Sequence, residues 1–390
     1  MNAERGFKLF YFVYFASFSG YVMFRNVYLE EIGLSGTQMG IIGFVIPMCT
    51  IIAQPLWGLL ADWKGISKLI LYVSAIVGAL GVLMYPLAPF TSAAFAVVIV
   101  ATAIYAIFRA PMTPIANALV LSTGASYEGV RVYGSISFGI AGVVIGYLIG
   151  IFETSLIFFI YAGGMGVIVA LLAFLPVDDP GMPDRDLSLA SIRPLLTRQF
   201  VLLLTAAFLL GVMTPAGAAF FSVYVRAVGH PDAITGVAWL MKTIAEAIVF
   251  LYIARRGAGS YRTLMAIGGL LYASTYVVLW TTGAVAPVIA AQLLLGAGYA
   301  LFNLASVNLA HALSPPGLKS TAQSLLMVGG SSAGLAVGEL GTGRLLDLVG
   351  AQEMYGVLAI LGVVVALVSM AIAQGSGRPT AGDMTAANDD

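Results

Sequence analysis

Trp239, Lys242 and Glu246 lie in one apolar run, residues 233–254, at spacings of three and four. At 100° per residue, a helix carries all three on a single face. An ionisable side chain at the centre of a bilayer costs at least about 2.5–3.5 kcal/mol on insertion scales, so this pair needs a reason. Two chemistries fit it. Glu246 can take and release a proton while Lys242 biases its protonation and competes with a solute for it. Alternatively the two form a static ion pair that locks the helix. Arg109, central in the run 93–121, poses the same choice. Its guanidinium fork suits a carboxylate or several hydroxyls, or it holds helices together through an acid or backbone carbonyls. Asn117, Asn303 and Asn308 are candidates for contact with a solute or for hydrogen bonds between helices. With two histidines, His230 and His311, and one cysteine, Cys49, no metal cluster is expected. No P-loop and no nucleophile–base spacing appears, so neither an enzyme nor a bound cofactor is expected, and a proton gradient is the expected driving force.

These residues are positioned by elements made for lipid. Of 390 residues, 60% are hydrophobic and 9% charged, against the roughly one quarter charged in soluble domains. The net charge of zero gives no reason to expect nucleic acid as a partner. A spanning helix needs about 20 apolar residues. Twelve runs qualify: 7–29, 36–60, 67–89, 93–121, 132–153, 155–176, 200–226, 233–254, 262–282, 285–312, 320–346 and 353–373. The first is retained rather than cleaved, being longer than a signal-peptide core. Pro47, Pro55, Pro111, Pro114 and Pro215 fall inside runs and can kink them. Thirteen Lys or Arg residues cluster on the side of both termini, against three (Arg25, Arg226 and Arg344) on the other. That asymmetry places both termini in the cytoplasm.

The longest polar interval, 177–198, divides six runs from six, and the halves resemble each other. Tyr105-Ala106-Ile107-Phe108 matches Tyr299-Ala300-Leu301-Phe302, and Asn117 falls opposite His311, both at an offset of 194. Tyr28, Gly33 and Gly40 match Tyr224, Gly229 and Gly236 at an offset of 196. Six spans per repeat make the halves parallel, related by an axis along the membrane normal, with a site expected where they meet.

The loop after the second run carries Gly58, Asp62, Gly65 and Lys68, a pattern that resembles the signature loop of the major facilitator superfamily. A degenerate copy, Arg255-Arg256-Gly257, follows the eighth run. Tyr28-Leu29-Glu30-Glu31-Ile32-Gly33, Arg131-Val132-Tyr133-Gly134, Trp239 with Glu246, and Thr321-Ala322-Gln323 together resemble the branch of proton-coupled nucleoside, phenylpropionate and lactose permeases. The resemblance implies two pseudo-symmetric six-helix bundles working by alternating access. It implies Glu246 as the coupling acid beside Lys242, and Gly58, Asp62, Gly65, Lys68 and Arg131 as a cytoplasmic gate. Glu339, Arg344 and Asp347 are expected to pack or pair near the outer end.

The expected molecule is an all-α membrane protein of twelve spans. Residues 1–176 form one bundle, 177–198 a cytoplasmic loop, 199–374 a second bundle and 375–390 a disordered tail. It is expected as a monomer in the cytoplasmic membrane, importing a small polar or anionic organic solute with protons. A proton-antiport exporter is the alternative. Arg109, Asn117, Trp239, Asn303 and Asn308 are the expected solute contacts.

Overall fold

The computed structural model describes residues 3–123, 127–175, 193–257, 259–315 and 318–373. The expected central loop, apart from its last residues, and the expected tail lie outside them. All regular structure among the described residues is helical. Eleven helical stretches are long and apolar enough to cross a membrane. The first half contributes α1 (Ala3–Glu31), α2 (Gly36–Lys64), α3 (Ser67–Val82), α4 (Ala94–Arg109), α5 (Met112–Ser122), α6 (Tyr127–Ile151) and α7 (Leu156–Phe174). The second contributes α8 (Arg198–Gly217), α9 (Phe221–Ala227), α10 (Asp232–Arg256), α11 (Tyr261–Thr281), α12 (Val285–Ala312), α13 (Lys319–Leu325), α14 (Ala333–Val349) and α15 (Glu353–Met370). Leu, Ile, Val and Phe side chains cover the outer surface of the bundle, as lipid contact requires.

The expected eleventh span is not one α-helix. Between α13 and α14 the chain takes a π-helical turn over Leu326–Ser332. The fourth span breaks where Pro111 follows Ala110. Pro111 has no N–H to give the carbonyl of Ile107, and the Trp57 indole donates to that carbonyl instead at 2.9 Å. A helix from another part of the bundle thus closes the break that sets Arg109 at the end of α4.

Packing is dense within each half, and the halves meet chiefly where α2 packs against α14 and α6 against α10, with α1 also touching α9. The residues paired by the repeat play matching parts. Gly33 and Gly229 both turn the chain with positive φ, 82° and 85°, a conformation costly for side chains. The Tyr28 and Tyr224 hydroxyls each donate to a backbone carbonyl at 2.9 Å, Tyr85 and Thr282 respectively. Gly40 lies on the backbone of Glu339 in α14, and Gly236 on the backbone of Gly142 in α6. A side chain at either position would collide with main chain of the opposite half.

At the end of the bundle away from the termini, polar bonds tie the halves together. The Arg226 guanidinium contacts the Glu31 carboxylate, and its Nε and Nη2 donate to Asp232 at 2.8 and 2.7 Å. Thr154 donates to Glu31 at 2.7 Å within the same knot. Asp347 accepts from the backbone N–H groups of Gly36 and Thr37 at 2.7 and 2.8 Å, capping the start of α2. Deeper in, Arg25 on α1 and Glu339 on α14 face each other at 3.9 Å, both almost fully buried.

Candidate functional site

Trp239, Lys242 and Glu246 do share one face of α10. Lys242 Nζ stands 3.4 Å from Glu246 Oε1 and 4.3 Å from the Trp239 ring centroid. The Tyr299 ring on α12 lies 5.5 Å from the same ammonium. Trp239 is buried, and its indole N–H has no hydrogen-bond partner among the described residues. Lys242 and Glu246 are each partly shielded, with side-chain exposures of 14% and 21%.

Across the seam, Arg109 caps the Phe18 ring at 4.1 Å. Tyr14, Tyr21, Tyr105 and Tyr161 surround it within electrostatic reach. Arg109 Nε has no partner among the described residues, nor has the buried Tyr14 hydroxyl. The two cations are ends of one line. Phe18 meets Phe138 at 6.1 Å between centroids, and Phe138 meets Trp239 edge to face at 5.7 Å. Arg109, Phe18, Phe138, Trp239 and Lys242 therefore run from the first half to the second, with a cation over the aromatic ring at each end. A desolvated cation–ring contact contributes about 2 kcal/mol and uses none of the cation's N–H donors.

A cavity of about 180 Å³ opens beside this line in the second half, lined by Thr214, Tyr299, Asn303, Ser306, Ser331 and Ser332 among others. Its polar groups are hydroxyls and one amide. Ser331 and Ser332 come from the π turn, whose extra residue widens the helix at this point; such turns are frequent at functional sites. Glu246 and Arg131 both act electrostatically on Tyr299, so that ring joins the charged face of α10 to the cavity.

The other expected site residues separate. Asn303 lines the cavity, its amide 3.4 Å from the Tyr299 hydroxyl. Asn117 accepts a short hydrogen bond from Tyr11 and serves to join α5 to α1. Asn308 is exposed and donates to the carbonyl of Leu304 one turn back at 2.8 Å, a local bond that removes it from the line and the cavity. Gly65 ends α2 in a left-handed conformation, and a side chain on Gly58 would touch nothing within 4 Å. Lys68 donates to the carbonyl of Leu175 at 2.8 Å, tying α3 to the end of α7 within one half. Asp62 falls on α2, its side chain outside what is described. Arg131 sits one turn inside α6, bonded to Ser135 and stacked 4.4 Å from Phe15. Phe138, Tyr299, Thr214, Ser331 and Ser332 carried no signal in the sequence beyond the repeat that pairs Tyr299 with Tyr105.

The comparisons agree with this architecture. A family model described as the MFS_1 like family matches residues 5–357. A maltose permease of Geobacillus stearothermophilus is 29% identical over 374 residues, covering 93% of each chain. A probable 3-phenylpropionic acid transporter of Escherichia coli is 27% identical over 259 residues, covering 64% of this chain and 66% of its own. The crystal structure of the nucleoside transporter NupG superposes with a TM-score of 0.80 at 16% identity, covering 95% of this chain and 99% of that one. The chain is a multi-pass membrane transporter belonging to the MFS_1 like family of the major facilitator superfamily.

Proposed function

We propose that this transporter imports a small polar or anionic organic solute across the cytoplasmic membrane by alternating access, in symport with protons. The observation that carries the proposal is the line from Arg109 through Phe18, Phe138 and Trp239 to Lys242, crossing the seam with Glu246 at its end. A solute held along it touches both halves at once, so its binding depends on their relative position. Arg109 receives a carboxylate or a set of hydroxyls. The hydroxyl-lined cavity at Asn303 and Tyr299 receives the uncharged polar part. Glu246 carries the proton: ionised, it holds Lys242; protonated, it frees the ammonium for the solute. Two relatives are named for maltose and for 3-phenylpropionic acid, and between them these solutes span the polyhydroxyl and aromatic-acid chemistry proposed for the site. The knot at Arg226 supports alternating access as a seal on the outer side, with both termini in the cytoplasm.

The test is uptake of labelled maltose and 3-phenylpropionate into proteoliposomes of the monomeric protein under an imposed pH gradient. Symport predicts accumulation when the outside is acid, and its loss in Glu246→Gln with exchange at equilibrium retained. Efflux driven by the same gradient would make the protein an exporter. Uptake indifferent to the gradient removes proton coupling altogether.

A further inference from the structure

Two clefts at the terminus-bearing end of the bundle face away from the solute site. One, of about 440 Å³, is lined by Arg5, Lys8, Leu9 and Phe12 of α1 and Tyr133 of α6. The other, of about 470 Å³, is lined by Ile248, Leu251, Tyr252, Arg255 and Arg256 of α10. Each half of the protein holds one. At 100° per residue, Ile248, Leu251 and Arg255 lie on the side of α10 away from Lys242 and Glu246, Tyr252 lies at its flank, and Arg256 lies two and a half turns or more beyond Glu246 at the helix end. They are therefore separate from the transport route.

Both clefts have the same layered chemistry. Their apolar walls are open: Phe12 is 41% exposed, Leu251 60% and Tyr252 61%. In a membrane these walls meet acyl chains. An aromatic residue with a hydroxyl, Tyr133 or Tyr252, stands between wall and charge, the side-chain type enriched at headgroup depth. Two basic residues close the polar end of each. In the α1 cleft the Lys8 ammonium stands 2.6 Å from the Glu4 carboxylate, an exposed pair that an anionic headgroup would share, and 5.6 Å from the Tyr133 ring. In the α10 cleft Arg255 and Arg256 are adjacent and exposed, one turn beyond the apolar wall.

We propose that each cleft is a binding site for an anionic phospholipid, its phosphate taken by the basic pair and its chains lying on the apolar wall. Charge complementarity selects the anionic headgroup, and the continuous apolar wall below it selects a lipid over a free anion. A juxtamembrane Lys or Arg attracts anionic lipid by about 1 kcal/mol, which is about fivefold in affinity. Removing Arg255 and Arg256 should therefore weaken their site about twenty-five-fold, and removing Arg5 and Lys8 should weaken theirs by less, because Glu4 already pairs with Lys8.

The test is native mass spectrometry of the detergent-purified full-length protein titrated with phosphatidylglycerol or with phosphatidylcholine of the same chains. Phosphatidylglycerol adducts should form at least tenfold more readily, up to two tight adducts per chain. Arg255→Gln with Arg256→Gln, and separately Arg5→Gln with Lys8→Gln, should each abolish one tight adduct and leave phosphatidylcholine binding unchanged. Arg255→Lys with Arg256→Lys should keep it. Lys319→Gln, at the same end but in neither cleft, should bind as the parent does. Equal binding of the two lipids overturns the proposal on the parent protein alone, whatever the variants do. Loss in Lys319→Gln as large as in the cleft variants reduces the effect to general surface charge and also overturns it. Displacement of the lipid by millimolar glycerol 3-phosphate overturns it too, since the site would then be one for a free anion.

Discussion

Replacing Glu339 by Gln should open the end of the transporter that lies away from its termini. Arg25 and Glu339 approach across the interface of α1 and α14, at 4% and 6% exposure, with Nη2 and Oε2 3.9 Å apart. The Glu339 carboxylate fits against Gly43 of α2, where a methyl group would displace it. The Arg25 Nε donates to Asn26 at 3.0 Å, while Nη2 is without a hydrogen-bond partner among the described residues. Glu339 thus neutralises a guanidinium that the closed interface has cut off from water. Removing one partner of a buried pair costs about 3–5 kcal/mol, because the remaining charge is uncompensated. With no direct hydrogen bond in this pair, the lower end applies. About 3 kcal/mol lowers the ratio of sealed to open molecules roughly a hundredfold. Spin labels at Glu30→Cys and Leu348→Cys, in a Cys49→Ser background, report the outer separation by pulsed dipolar spectroscopy. Glu339→Gln should move the distribution to longer distances. Arg25→Met combined with Glu339→Leu should restore the short one, since an apolar pair of similar volume needs no compensation. An unchanged distribution in Glu339→Gln would refute the electrostatic role of the pair. A double variant as open as the single one would show that packing, not charge, holds the seal.

Two further outcomes follow from the same interface. Gly236→Ala presses a methyl group onto the Gly142 backbone and should lower the maximal uptake rate at least tenfold, whereas Gly166→Ala, with nothing within 4 Å, should transport normally. Arg226→Gln unties Glu31 from the buried Asp232 and should raise the rate at which a cysteine at Val228 reacts with an impermeant maleimide, by several-fold because the knot is partly solvated; an unchanged rate would remove Arg226 from the seal.

What could be read from the chain before folding, and what could not, follows from the range of each interaction. The spans were legible because lipid demands long apolar runs, and Trp239, Lys242 and Glu246 because a helix brings spacings of three and four onto one face. The eleventh span looked whole because hydropathy does not register the extra residue of a π turn, yet that turn supplies two of the cavity's hydroxyls. Asn308 is a candidate in the sequence because a polar residue inside an apolar run has no visible partner; in the structure its amide donates to a carbonyl one turn back on its own helix. The aromatic line was illegible for the opposite reason. Phe18, Phe138 and Trp239 come from three helices whose crossing angles no local pattern records, and Phe138, the ring that joins the other two, is alone an ordinary apolar residue.

Arg25 shows how a charge can mean one thing to topology and another to mechanism. Counted by side of the membrane, it is one of the few basic residues at the outer end and serves only to weigh orientation. Buried opposite Glu339, it becomes a charge that the protein can hide only while the two halves are together. Lys242 stands to Glu246 in a different relation, on one helix and partly exposed, so that pair does not depend on how the two halves meet. The chain therefore separates two electrostatic duties. One pair spans the interface of the halves; the other lies within α10, where the proposed protonation of Glu246 would release Lys242 without touching the contact between Arg25 and Glu339.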